Sequence, residues 1–583
     1  MNVLKKIKNK ENQIWALGLS ILLCAIIGIC FDFYFDLNDD VVMKDILAGI
    51  YTGTPEGRNI QMLFPLSFIL SLFYRLAGGI PWYGLFLCIC HFLSIYLITN
   101  RLLGFFEKRL TKAAVLILEM GIIISLFLRE LVFVQYTVTC ALLAAAAAFL
   151  FFTAENETSP IKFLRKHIGS ILLVTLAFQI RSEMLILVLP LICVVGLCRW
   201  AGEKKIFTKE NAQKYFLVFG GILAGIILSQ LINMVAYSGG NWQKFQQYFD
   251  NRTELYDFLA IPSYEDNEEF YQSIGMAESE QILLENYNFG LDEEIDEILL
   301  GKIGEYANGL RMEQASFMDY VKKAAVNYKY RTFHKTDYPW NLFVLIMYGL
   351  VLLTALSNKH FRYLWELLCL GIVRTGLWMY ILYRGREPER ITHSLYLMEF
   401  VILLAMLLIE SGKRKKAAVI YGGVLTVLCL ISITQSISWV QTEYSRRGEI
   451  NKEFEALKLY TKDNAEKFYF VDVYSTVTYS EKMFKNVDNT LANYDIMGGW
   501  VSKSPLTEKK LANFDITDIE QAILEMENVY IIVQYKEPES LPQVQDWLTE
   551  YYKEKGIAVH LIKADSIAVE DREVFSVYAV EEK

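Results

Sequence analysis

The stretch WALGLSILLCAIIGICFDFYFDLNDD, Trp15–Asp40, decides how the rest of the chain is read. It opens with an apolar run that follows Lys5, Lys6, Lys8 and Lys10 and ends in paired carboxylates, Asp39 and Asp40. A helix rises about 1.5 Å per residue and a bilayer's hydrocarbon core is about 30 Å thick, so a run of this length crosses a membrane. It is too long for a signal-peptide core and lacks a small-residue cleavage site, which makes it an uncleaved anchor. The acidic residues then emerge at the membrane surface.

Similar apolar runs recur along all 583 residues, 54% of which are hydrophobic, and the mean hydropathy is positive. The pattern predicts an all-α polytopic membrane protein of about eleven spans. They are expected at 14–34, 82–103, 113–128, 137–153, 169–180, 184–198, 215–237, 341–356, 363–383, 394–410 and 417–438. A net charge of −9 argues against nucleic acid as a partner. Every cysteine falls inside an apolar run, which excludes a disulfide framework in the polar stretches.

Basic residues set the topology. Lys5–Lys10, Lys108/Arg109/Lys112, Lys162/Arg165/Lys166, Arg199/Lys204/Lys205/Lys209, Lys359/Arg362 and Lys413–Lys416 all fall on one side of the expected spans. Loops rich in Lys and Arg stay in the cytoplasm. The expected location is therefore a plasma membrane, with the amino terminus cytoplasmic and the carboxy-terminal domain extracytoplasmic. Four segments follow: a first membrane module at 1–237, an acidic helical insert at 238–340, a second membrane module at 341–438 and an outer α/β domain at 439–583. The apolar residues 62–77 are too few to span and are read as a helix lying in the interface.

The insert holds eighteen carboxylates between Asp250 and Asp319, against Arg252, Lys302 and Arg311. Its helical spacing predicts a solvated acidic face. In the last segment KFYFVDVY, NVYIIVQY, IAVHLIKA and EVFSVYAV read as strands. LPQVQDWLTEYYKEKG reads as a helix closed by Gly556, and NYDIMGGW as a loop.

Three places could carry chemistry. Asn38 or Asp39 could cap the helix VVMKDILAGIYTG, but a cap needs only one side chain. The second carboxylate leaves room for a cation site or a general base at Asp39 and Asp40. YRGREPERITH, Tyr383–His393, sets Arg384, Arg386 and Arg390 in an outer loop, against the positive-inside trend. Guanidinium forks match phosphate oxygens, so an anionic lipid headgroup is the natural partner, with Glu387 and Glu389 as competing internal partners. Arg181 and Glu183 interrupt what would otherwise be one long apolar run. Gly169–Ile180 covers only about 18 Å as a helix, so their turn is expected below the surface, lining a cavity. Arg252, just outside the seventh span, and Arg58 are expected to face the same cavity as further substrate-binding residues. Arg374, paired with Glu119 or Glu399, is read as an intramembrane brace, and His393 as a surface residue.

The layout resembles the C-type (GT-C) glycosyltransferase superfamily. Asn38-Asp39-Asp40 stands at the acidic position after the first span, MLFPLSFILSLFYRLAGGIPWYG is similar to its interfacial helix and second span, and IRSEMLILVLPL to its helix pair with a charged residue between. The chain has Asp-Asp where an Asp-x-Asp would be cleaner, and it adds the acidic insert. The resemblance implies inverting transfer of a sugar from a polyprenyl-phosphate-linked donor to a glycan, lipid or protein acceptor outside the cytoplasm. Asp39 or Asp40 would then be the general base or the ligand of a divalent cation, Mg or Mn. The arginine loop with Arg181 would grip the carrier phosphate. A polysaccharide polymerase or ligase, a lipid-linked glycan flippase and a sensory protein are the alternatives.

Overall fold

The computed structural model describes residues 2–314, 316–411, 415–485, 488–535 and 544–583. It is a mostly helical, multi-pass membrane protein carrying a mixed α/β domain at its carboxy-terminal end. Among the described residues, ten helices are long and apolar enough to cross a membrane. Lys413 and Arg414, part of one expected basic loop, lie outside the described residues.

The first span is α1 (Asn2–Cys30), whose Ile14, Ile21 and Ile29 are exposed as lipid-facing residues should be. A two-residue strand β1 (Tyr34–Phe35) leads into α2 (Asn38–Ala48), and α3 (Phe64–Leu76) follows. At 13 residues α3 is too short to cross, as the reading of 62–77 expected. Next come α4 (Trp82–Leu103), α5 (Arg109–Val132), strand β2 (Phe133–Val134) and α6 (Tyr136–Thr153). Strands β1 and β2 pair in parallel, Tyr34 with Phe133 and Phe35 with Val134. This small sheet ties the first acidic loop to the exit of α5. The expected span at 113–128 lies inside α5, which is not among the ten.

Helices α7 (Pro160–Ile180) and α8 (Ser182–Ala201) correct one expectation. The first was to be a short helix from Gly169, but it has 21 residues and takes in Lys162, Arg165 and Lys166. Both helices are full-length, and only the turn at Arg181 remains of the argument. The module ends with α9 (Lys209–Ala236).

The insert holds α10 (Gly240–Phe258), α11 (Glu268–Ser273), α12 (Glu278–Glu285), α13 (Glu297–Gln314) and α14 (Phe317–Arg331). The second module has α15 (Trp340–Ser357), α16 (Arg362–Arg384), α17 (Glu389–Ser411) and α18 (Lys415–Asp463). Helix α14 packs against α16, where the Tyr328 hydroxyl lies 3.3 Å from Thr375 Oγ1. Of the two partners weighed for Arg374 the structure selects Glu399, at 2.8 Å, while Glu119 accepts from Thr99.

Helix α18 carries 49 residues without a break, about 73 Å of helix. The expected domain boundary at 439 therefore falls in mid-helix. The domain proper follows: β3 (Phe468–Val471), β4 (Tyr494–Ile496), α19 (Pro505–Ala512), α20 (Ile519–Glu525), β5 (Val529–Gln534), α21 (Val544–Glu554), β6 (Val559–Val569) and β7 (Arg572–Glu582). The sheet order is β4-β3-β5-β7-β6, parallel through β4, β3 and β5 and antiparallel thereafter. NYDIMGGW, read as a loop, supplies β4 before its two glycines. Gly556 does close α21, at a φ of +83° open mainly to glycine.

The insert and the domain are not separate units. Phe245, Leu283 and Phe289 share one hydrophobic core with Phe470, Ile531 and Tyr551. The first loop joins them: Met483 donates to the Phe33 carbonyl at 2.8 Å, and the Tyr51 hydroxyl donates to Asp495 at 2.9 Å.

Arg447 on α18 is the main pin. It reaches Asp36 Oδ1 and the Asp36 carbonyl at 2.7 Å each and lies over the Phe133 ring at 4.2 Å. Removing one partner of a buried pair leaves an uncompensated charge. Arg447→Ala is thus expected to cost about 3–5 kcal/mol of stability, read as a lower thermal unfolding midpoint in lipid nanodiscs.

Candidate active site

Neither aspartate caps α2. The capping position is Leu37, whose side chain makes no capping bond, and Asp39 and Asp40 stand inside the first turn. The cap reading of Asn38 or Asp39 therefore fails. Negative charge at a helix start is still favoured by the helix dipole.

The two carboxyls have different surroundings. Asp40 is fully buried; its Oδ1 accepts from the Tyr83 hydroxyl at 2.8 Å and its Oδ2 has no protein partner. Burial pushes its carboxyl well above the ordinary range, against the Tyr83 bond, and Asp39 and Asp36 push the same way. Burial thus biases the Asp40 carboxyl toward its neutral form. Asp39 is half-buried, and no hydrogen bond or ion pair joins its side chain to any described residue.

A raised carboxyl pKa has a definite sign for stability. The fold favours the neutral form, so Asp40's contribution is greatest at low pH. It falls as pH rises from the unfolded carboxyl range toward the raised value. Asp40→Asn, neutral at every pH, is expected to flatten that dependence and to be at least as stable at pH 7, by thermal unfolding across a pH series.

Two guanidinium groups, Arg181 and Arg386, lie within electrostatic reach of Asp39, and Arg390 lies within reach of Arg386. Arg181, at the turn between α7 and α8, donates to Gln61, meets Glu183 at 3.1 Å and lies 5.2 Å over the Tyr136 ring. Burial alone would lower its pKa, but Tyr136, Glu183 and Asp39 hold it above the ordinary value. Arg386 pairs with Asp257 of α10. Its pKa is pushed down to about 10, by burial first and then by the Arg390 and Arg181 cations, with Asp39 and Tyr136 opposing. Arg390 is half-buried and has no hydrogen bond or ion pair through its side chain among the described residues. Tyr136 lies within electrostatic reach of Arg181, Asp39, Asp40 and Arg390 at once, so these groups surround one spot. That spot sits where α4, α6 and α8 begin and α16 ends.

The other expected residues lie elsewhere. Arg384 forks onto Glu254 at 2.8 and 3.3 Å and stacks on Phe258 at 3.6 Å, which fastens the loop to α10. Arg58 donates to the Ala236 carbonyl at 3.0 Å between the rings of Phe64 and Trp242. Arg252 lies beside Tyr256 and Phe289 in the insert. Glu183 is largely exposed beyond Arg181. Glu389 is taken by Arg129, not by its own loop's arginines. His393, read as a surface residue, is buried, with Nδ1 at 2.7 Å from Glu130. Gln61, Tyr83 and Tyr136 were not expected; each is a lone polar group beside an apolar run, a signal too common to single them out.

The donor set does not suit a divalent cation. Asp40 is buried with one carboxylate oxygen taken by Tyr83, Asp39 offers a single carboxylate, and the Arg181 and Arg386 cations lie within electrostatic reach. Among the described residues the one group of three such side chains close enough to share an ion is Glu280, Asp292 and Glu294, in the insert.

No protein-family model matches the chain, and no curated protein matches it. Among solved structures, the crystal structure of ArnT from Cupriavidus metallidurans bound to undecaprenyl phosphate is similar. The likeness covers 97% of this chain and 98% of that one, at 10% identity and a TM-score of 0.39.

Proposed function

We propose that the chain is a membrane glycosyltransferase of the C-type. It moves a sugar from a polyprenyl-phosphate-linked donor to a glycan, lipid or protein acceptor on the extracytoplasmic side. One observation carries the reading: Asp39, with no hydrogen bond or ion pair to any described residue, lies within electrostatic reach of Arg181 and Arg386, and Tyr136 lies within reach of Asp39, Arg181 and Arg390 together. Such an array suits a reaction in which a hydroxyl loses a proton while a phosphate gains charge.

Asp39 accepts the proton of the acceptor hydroxyl as its oxygen forms a bond to the anomeric carbon. The bond from that carbon to the carrier phosphate breaks on the opposite face, so configuration inverts. The electron pair leaves with the phosphate, whose charge is met by Arg181, Arg386 and Arg390. The carrier's tail stays among the spans, which keeps donor and site at one depth. Asp40 is a positioning residue: buried and bonded to Tyr83, it fixes the first turn of α2. The positive-inside loops support an amino terminus in the cytoplasm and a site outside it.

The test is transfer or hydrolysis of sugar from a polyprenyl-phosphate-linked donor by the full chain in nanodiscs. Loss of that activity in Asp39→Asn supports the reading; its survival removes it. Two further outcomes follow from the geometry. Chelation with EDTA is expected to leave the rate unchanged. Arg384→Ala, already committed to Glu254, should alter donor KM by less than about threefold, measured in the same assay.

A further inference from the structure

The insert reads in sequence as acidic, yet α14, its last helix, reverses the sign. Phe317–Arg331 carries one carboxylate, Asp319, against Lys322, Lys323, Lys329 and Arg331. The helix buries one face. Ala324 is 1% exposed, and the Tyr328 hydroxyl accepts from Arg374 and lies 3.3 Å from Thr375 Oγ1 on α16. The opposite face is bare. Val326 and Tyr330, one turn apart, are 69% and 70% exposed, and Phe333 just past the helix end is 73% exposed. Leaving three such side chains in water forgoes the free energy of burying each of them.

Both ends of α14 lie at the end of the α16 span. Phe317 and Tyr320 meet the Tyr383 ring, with centroids 5.6 and 6.2 Å apart, and Arg331 donates to the Glu387 carbonyl at 3.2 Å. At 15 residues the helix is about 22 Å long, too short to cross a bilayer. It rests on a span whose Leu368, Ile372 and Tyr380 are themselves exposed, as lipid-facing residues should be. The bare face of α14 continues that lipid-facing surface at the edge of the bilayer. About 100° of rotation per residue puts Lys322 and Lys329 on one flank of the Val326 and Tyr330 strip and Lys323 on the other. Lys323 and Lys329 have no ion pair among the described residues, and Lys322 meets Asp319 at 3.4 Å on the open surface. An apolar strip flanked by lysines is the pattern of a helix lying in a membrane surface. The rings enter the acyl boundary while the ammonium groups reach back to the phosphates.

We infer that α14 is an interfacial helix that seats in the leaflet beside the candidate site and binds anionic phospholipid through Lys322, Lys323 and Lys329. The inference does not depend on glycosyl transfer. Because both ends of α14 hold the segment that carries Arg386 and Arg390, its seating fixes the depth at which that segment meets the leaflet.

The experiment is photocrosslinking of the full chain in nanodiscs of equal parts phosphatidylcholine and phosphatidylglycerol. The photoreactive residue p-benzoylphenylalanine is placed at Val326 or at Tyr330. Leu368 on α16 is the lipid-facing control and Lys302, exposed on α13, the solvated one. Mass spectrometry of the adducts is the readout. Val326 and Tyr330 should yield lipid adducts as Leu368 does, and Lys302 should yield none. At the two α14 positions phosphatidylglycerol adducts should exceed phosphatidylcholine adducts about threefold, since each lysine near a membrane surface favours anionic lipid. Leu368 should show parity. The triple variant Lys322→Gln, Lys323→Gln and Lys329→Gln changes exposed side chains only. It should keep the lipid adducts and bring their ratio to parity. Protein adducts at Val326 and Tyr330, or none there while Leu368 labels lipid, would overturn the seating. Parity in the parent, or a ratio that the triple variant leaves unchanged, would overturn the anionic-lipid assignment.

Discussion

On the proposed reading, Asp39→Asn is expected to lower the rate of sugar transfer about a thousandfold, within the 10²–10⁴ range of a general base, and to leave the fold and donor KM nearly unchanged. The fold survives because Asp39 makes no hydrogen bond that asparagine would lose, and asparagine is tolerated in a first helical turn. KM is spared because proton abstraction is felt only in the transition state. The control is its neighbour. Asp40 is buried, accepts from Tyr83 and is biased by burial toward the neutral form, so Asp40→Asn keeps the shape and the Tyr83 bond and should stay within about tenfold of the parent rate. Transfer kinetics of both variants in nanodiscs decide the matter. Equal losses at the two positions would show that the carboxylates act as a unit, and an active Asp39→Asn would leave the site without a base.

How much of this was legible depended on whether one helix or several made the feature. The spans were readable because each is a property of its own run of residues, and Lys and Arg loops gave their alternation. The paired aspartates and the arginine loop were readable as local oddities: carboxylates against the membrane surface, arginines where few are expected. Their meeting was a guess, since it depends on how α2, the α7–α8 turn and the start of α17 pack. What each arginine does was not readable at all. Arg384, Arg386 and Arg390 look alike in sequence, yet Glu254 and Phe258 of α10 take the first, Asp257 pairs with the second, and no described residue takes the third. Helix α7 was misjudged because Lys162, Arg165 and Lys166 were assigned to a loop, although long basic side chains can leave a helix end for the interface. The strand pair β1–β2 and the Arg447 pin join residues far apart along the chain, and nothing local announces them.

Arg390→Ala is expected to lower kcat/KM for a polyprenyl-phosphate donor by about a hundred- to a thousandfold, the usual size for one preorganised group facing charge that develops in the transition state. Arg390 is the sharpest probe because its side chain has no hydrogen bond or ion pair among the described residues, so unfolding midpoints should stay with the parent. Arg386→Ala should lose a similar factor, but it also frees Asp257 and will loosen α10. Since both groups address one phosphate, the double variant should lose less than the product of the two single losses. Lysine should not restore Arg390, because a point charge lacks the planar fork. Leaving-group chemistry supplies the readout that a merely structural role would not move. If the guanidiniums carry departing charge, a donor with a better leaving group, a polyprenyl diphosphate in place of the monophosphate, needs them less. The Arg390→Ala deficit should then shrink on the diphosphate donor. A deficit of the same size on both donors, with dodecyl phosphate binding unaltered, would mean that the arginines do not meet the leaving phosphate and that the cluster serves another purpose.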